Sequence, residues 1–222
     1  MRPAALLALA AALALTGCAD GRRWDQAVCV LVDVSGTYAD QKADVVRLLK
    51  RDVLPALEPG DSLLVIRIDG QSYEKGNVEA LLTLDARPSQ ANAQKLALAK
   101  QLDVFAANRS VARHTDISGA MMLGAEYLKE LGSGSRVMLI FSDLEEDLPG
   151  GVRRELGPTE FEGVELMAVN VKRLQRDGRD PDVFRRRLTS WQERVAASSA
   201  RGWRTVQDET RLAEVLAEVR ES

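Results

Sequence analysis

Cysteine, histidine and aromatic residues are all scarce in this chain: 222 residues hold two cysteines, one histidine, and 5% Phe, Trp and Tyr together. Two cysteines leave no disulfide framework. Cys29 lies between Val28 and Val30 in an apolar run and reads as a small buried hydrophobe. The lone histidine, His114, reads as a neighbour of a site or a surface residue, not as a metal ligand. Excess positive charge is also missing, since the formal net charge is −3. The clusters Arg153-Arg154 and Arg185-Arg186-Arg187 have acids nearby and read as solvated faces, so nucleic acid is excluded as a partner. No internal repeat or long low-complexity linker divides the chain. Gly132-Ser-Gly-Ser135 is followed by no phosphate-loop lysine and reads as a plain loop.

What the sequence does have begins at its amino end. Met1-Arg2 gives a positive start, Ala4 to Leu15 is an unbroken apolar run, and Leu15-Thr16-Gly17-Cys18 closes it. That is the pattern of a secretory signal, and it falls short of the roughly 20 apolar residues a spanning helix needs. Leu-Thr-Gly-Cys resembles the lipobox of bacterial lipoproteins, which implies cleavage before Cys18 and its acylation. Ala19 follows where Asp would imply inner-membrane retention, so the resemblance implies an outer-membrane anchor facing the periplasm. The expected organisation is a signal peptide over 1–17, lipidated Cys18 with a short tether over 18–25, and one domain over 26–222. Removing Arg2 with the leader takes the formal net charge to −4.

Apolar runs of strand length recur at Ala27–Val34, Ser62–Ile68, Arg136–Phe141, Val164–Val171 and Trp203–Val206, mostly continuous instead of alternating. Continuous runs predict strands buried on both faces. Between them apolar residues return at helical spacing: Val45, Leu49 and Val53; Leu98, Leu102 and Phe105; Ile117, Met121, Gly124, Leu128 and Leu131. Two further sets are Phe184, Leu188, Trp191 and Val195, and Leu212, Val215, Leu216 and Val219. Pro55 and Pro59-Gly60 are expected to close the first helix, Gly132 the third, and Asp180-Pro181 to open the fourth. Glu79–Asp85 predicts an edge strand beside Ser62–Ile68. The alternation predicts an α/β fold of three layers, a doubly wound and mostly parallel sheet with helices on both faces. In such sheets ligands bind beyond the carboxyl ends of the strands. The tether enters at the opposite end, so the Asp33 loop is expected to point away from the lipid.

Asp33-Val-Ser-Gly-Thr37 places a carboxylate and two hydroxyls at i, i+2 and i+4 beyond the first apolar run. Such oxygens suit small hard cations, though the same residues also build turns and helix caps. Two more loops match it in kind, His114-Thr115-Asp116-Ile117 and Phe141-Ser142-Asp143. Asp33-x-Ser35-x-Thr37, then Thr115-Asp116-Ile117-Ser118-Gly119-Ala120, then Ser142-Asp143 resemble the three loops of a von Willebrand factor A-type domain, over Ala27 to Arg220. The resemblance implies a metal-ion-dependent adhesion site. Ser35, Thr37 and Thr115 would hold the cation through hydroxyls, and Asp33 and Asp143 directly or through water. The ion would be Mg²⁺, or Mn²⁺ or Ca²⁺. Its open position would take an acidic side chain of a protein partner.

Two departures from the family pattern stand out. Thr occupies position 37 where Ser is usual, and Leu144 follows Asp143 where Gly is usual, which puts the shape of that loop in question. Glu145, Glu146 and Asp147 add negative charge at the rim, either as a solvated turn or as a cap over the metal. Two other readings remain. Haloacid dehalogenase-like phosphohydrolases carry Asp-x-Asp-Gly-Thr after their first strand, which would make Asp33 a Mg²⁺-assisted nucleophile, but Ser35 replaces the usual general acid. A metal-free interaction scaffold is the other. No catalytic residue is expected under the main reading.

Overall fold

Strand β1 (Gln26–Asp33) is buried at all eight positions and sits between two parallel neighbours, β2 (Ser62–Ile68) and β4 (Ser135–Phe141). These relations come from a computed structural model that describes residues 23–172, 174 and 180–222, without the side chains of Thr37 and Pro181. Cys18 lies outside the described residues. The remaining strands are β3 (Val78–Thr83), β5 (Val164–Val169) and β6 (Gly202–Val206), in the sheet order β3-β2-β1-β4-β5-β6. Every pairing is parallel except β2 with β3, so the expected edge strand beside Ser62–Ile68 is present and antiparallel.

The two-residue period of β1 divides the core. Val28, Val30 and Val32 face helix α1 (Lys42–Leu48, continuing through Leu49–Val53 and Leu54–Ala56), α2 (Pro88–Ala107) and α5 (Leu212–Glu221). Ala27, Cys29 and Leu31 face α3 (Ile117–Leu131) and α4 (Pro181–Ala196). The result is the expected three layers. Gly132 ends α3 at φ 59 with its N–H on Leu128 O, and Asp180 caps α4 by accepting from the Asp182 N–H.

Pro55 does not close α1 as expected. It sits within the last turn, after a widened stretch in which the Leu54 N–H reaches back to Leu49 O. A proline lacks the amide and crowds the preceding turn, so the helix loosens just ahead of it. Leu57 then turns extended at ψ 140 and ends the helix.

Helix α3 approaches the sheet closely at Gly124. A Cβ there would lie 2.8 Å from Cys29 Sγ and 3.0 Å from Met138 Cε. Gly124→Ala should therefore cost about 1–3 kcal/mol in urea unfolding through overpacking. Cys29→Ala in the same background should recover part of that loss, whereas independent additive effects would show that the two do not touch.

Candidate metal centre

The loops after β1 and β4 and the loop before α3 meet at the carboxyl end of the sheet. Asp33, the last residue of β1, is 1% exposed. Its Oδ1 accepts from the Ser35 N–H at 2.8 Å and from Ser35 Oγ at 2.5 Å, and its Oδ2 accepts from Ser142 Oγ at 2.6 Å. Ser35 Oγ is also 2.5 Å from Thr115 Oγ1, which joins loops 80 residues apart. A strand-like bridge of Ser35 with Ala112 holds the segment before Thr115 against the first loop.

Asp143 follows Ser142 and is 6% exposed. Its Oδ1 accepts from the Glu145 N–H at 2.9 Å. Its charge is close enough to hinder ionisation of Asp33. Of the five expected ligands, Asp33, Ser35, Thr115 and Asp143 converge at this end. Thr37 lies in a 3₁₀ turn, Gly36–Gln41, and its side chain is outside the described residues.

Burial raises the Asp33 carboxyl, hydrogen bonds from Ser142 and Ser35 pull it back and Asp143 pushes it up again, leaving it at about 6. Among the described residues no Lys or Arg hydrogen-bonds to Asp33; its donors are hydroxyls and one amide. This donor chemistry fits a hard divalent cation, which would supply the missing positive charge. No cluster of three or more His, Cys, Asp or Glu suited to a metal occurs among the described residues. The set here has two carboxylates, with hydroxyls as its other donors.

Asp116 is also fully buried but differently placed. It caps α3 by accepting from the Gly119 N–H at 2.8 Å, and it takes the Ser72 N–H at 3.0 Å. Arg154 closes on it with Nη2 to Oδ2 at 2.7 Å and Nε 3.1 Å from each oxygen. Gly119 is needed beneath it, because a Cβ there would lie 2.3 Å from Asp116 Oδ2. Arg154 was expected on a solvated face, and that is corrected: it is a partner of a buried carboxylate. Arg187, expected likewise on a solvated face, is 8% exposed at its side chain. No local signal marks either, since their contacts span 38 and 42 residues.

The acidic rim is engaged on the protein itself. Glu145 accepts from Arg187 at 3.1 Å, and Glu146 accepts from the Ser118 N–H at 2.7 Å and from Arg194 at 3.3 Å. Asp147 pairs its backbone with Thr115 and its carboxylate with His114 Nδ1 at 3.0 Å. Leu144 adopts φ 61, the left-handed conformation that glycine takes readily, so the loop keeps its turn with a leucine in it. The leucine is buried, and its carbonyl accepts from Trp191 Nε1 at 2.9 Å.

No protein-family model matches the chain. No curated protein matches it either. Among solved structures, it is similar to an aerotolerance-related membrane protein from Bacteroides fragilis at 14% identity, covering 89% of this chain and 98% of that one at TM-score 0.50. It is similar to BatB from Bacteroides thetaiotaomicron at 13% identity, over 89% of this chain and 100% of that one, also at 0.50. A von Willebrand factor type A protein from Catenulispora acidiphila is matched at 15% identity over 88% and 42%, at 0.49. At these identities the likeness concerns fold alone. The chain has the von Willebrand A-type fold, a six-stranded and mostly parallel sheet between helices.

Two predictions follow from the two aspartates. Arg154→Met should destabilise the domain by about 3–5 kcal/mol, because it leaves Asp116 buried without its cation. Asp116→Asn in that background should restore much of the loss in denaturant titration. For Asp33 the folded value lies above the unfolded one, so the metal-free fold binds a proton between about pH 6 and 4 that the unfolded chain does not. Its contribution to stability thus rises as pH falls through that window, by on the order of 3 kcal/mol at most. Asp33→Asn should remove this component from the pH profile of chelated protein, and an unchanged profile would refute the assignment.

Proposed function

We propose that the chain is a lipid-anchored binding domain that engages a protein partner through a divalent cation held by Asp33, Ser35, Thr37, Thr115 and Asp143. The observation that carries this reading is the 2.5 Å contact of Ser35 with Thr115 directly beside Asp33, which gathers hydroxyl and carboxylate oxygens from separate loops. Mg²⁺, or Mn²⁺ or Ca²⁺, would supply a Lewis-acidic position to which an outside carboxylate can bind. The protein's part is to hold the oxygens in place: Ser142 fixes Asp33, the Glu145 amide fixes Asp143, and the Asp116 cap fixes the turn that carries Thr115. Glu145 and Glu146 are taken up by Arg187, Arg194 and the Ser118 amide, which supports an open position that faces a partner.

Anchoring through acylated Cys18, in an outer membrane and facing the periplasm, is part of the same proposal. Among the described residues no helix is long and apolar enough to cross a membrane. The phosphohydrolase reading is weaker. Ser35 stands where that mechanism needs an acid.

Thermal unfolding of the purified chain with chelator and with millimolar Mg²⁺ or Mn²⁺ tests the metal. A site bound only by the folded state adds about 2.7 kcal/mol at a hundredfold excess over Kd, which is several degrees in Tm for a domain of this size. Asp33→Asn and Thr115→Ala should abolish the shift. Partner capture should be lost in chelator. If no cation shifts the melting of the unmodified chain, the metal-free scaffold replaces this reading.

A further inference from the structure

Trp24 is 53% exposed, the most exposed aromatic side chain among the described residues' exposed large hydrophobics. The backbone around it is nevertheless tightly held. Arg23 lies against the loop before β4, where a Cβ on Gly134 would come within 1.8 Å of Arg23 O. The Ser135 N–H donates to Asp25 O at 3.1 Å, and Arg220 Nη1 donates to Trp24 O at 3.3 Å. Arg220 is itself fixed to buried Asp61 by contacts of 2.9 and 2.6 Å. A half-exposed indole thus sits on a firm backbone base at the amino end of the sheet, the end opposite Asp33. Arg23, beside it, has a side chain 60% exposed.

We propose that this end of the domain rests on a phospholipid bilayer with Trp24 in the headgroup layer. The inference rests on the lipid-anchor reading of Cys18. The chain outside the described residues says what lies opposite Trp24. Only four residues, Ala19 to Arg22, separate Cys18 from Arg23. Fully extended, the six steps from Cys18 to Trp24 span roughly 20 Å, which keeps Trp24 within reach of the surface that an acylated Cys18 occupies. Indole suits that layer, having an apolar body and one N–H donor. Arg23 beside it is paired with Asp25 at 2.9 Å, so the indole is the group that meets the lipid. Docking would keep the carboxyl end of the sheet, with Asp33, toward the aqueous phase. It would also give the short tether a defined orientation instead of a swivel.

The full-length protein, reconstituted in phosphatidylethanolamine–phosphatidylglycerol vesicles with lipid brominated near the headgroups, tests this. Trp191 and Trp203 pack against the core and serve as internal references. Wild-type emission should shift to the blue and be quenched by the brominated lipid. Trp24→Phe should lose the quenched component while keeping its circular dichroism spectrum. Acrylamide should lose access to Trp24 on reconstitution. Flotation of the wild type and of Cys18→Ser separates the two readings. Chains that float through Cys18 without quenching of Trp24 overturn the docking and leave the anchor standing. Chains whose flotation ignores Cys18→Ser, or that do not float, overturn the anchor and the docking with it.

Discussion

Among the described residues Asp33 is a buried carboxylate to which no Lys or Arg hydrogen-bonds, and the carboxyl end of the sheet is organised around it. Asp33 ends a strand that is buried on both faces, so its side chain cannot leave the protein interior without breaking β1 from its neighbours. The other deeply buried carboxylates show how this fold treats such charges where they are purely structural. Asp61 is matched by Arg220, Asp116 by Arg154, and Glu165 by Arg204. Among the described residues Asp33 receives serine hydroxyls and an amide alone, which ease its burial without cancelling its charge. That contrast, within one molecule, supports a bound cation as the counter-charge at Asp33.

Those paired aspartates also make the site rigid. Asp116 collects the start of α3, the Ser72 amide beyond β2 and Arg154 from the segment after β4, so Thr115 is held from three directions. Asp61 does the same at the far end, binding the Gln26 and Glu58 amides and Arg220 of α5. A buried aspartate–arginine pair thus fixes the amino end of β1, and a second holds the turn whose Thr115 meets Ser35 just beyond the carboxyl end. Between them only apolar packing is needed, and the unbroken valines and leucines of β1 provide it.

The sheet was legible in the sequence because strands buried on both faces must be continuously apolar, and the helices because each keeps one apolar stripe. The three site loops were legible because hydroxyl and carboxylate spacing is local. Pro55 misled because the widened turn that accommodates it leaves no mark in residue type. Arg154 and Arg187 were misjudged because their partners lie far along the chain, and adjacency to acids in sequence says nothing of that. Ser142 was visible beside Asp143, yet its role in fixing Asp33 depends on β4 lying next to β1 in register.

Leu144 shows how a departure from the familiar pattern is absorbed. A non-glycine residue in the left-handed region costs on the order of 1 kcal/mol, while burying a leucine side chain returns about 1.5–3 kcal/mol. The side chain lies in the core cluster of α3 and α4, and Trp191 of α4 holds its carbonyl. Glycine would relieve the backbone and forfeit the packing, so the balance favours leucine. The consequence reaches the site itself. Asp143 is one residue away, and through Leu144, with Arg187 and Arg194 gripping Glu145 and Glu146, its loop is fastened to α4 at three successive residues. Any rearrangement of Asp143 must therefore move against α4, which makes that helix the element through which a change at the candidate centre would be felt elsewhere in the domain.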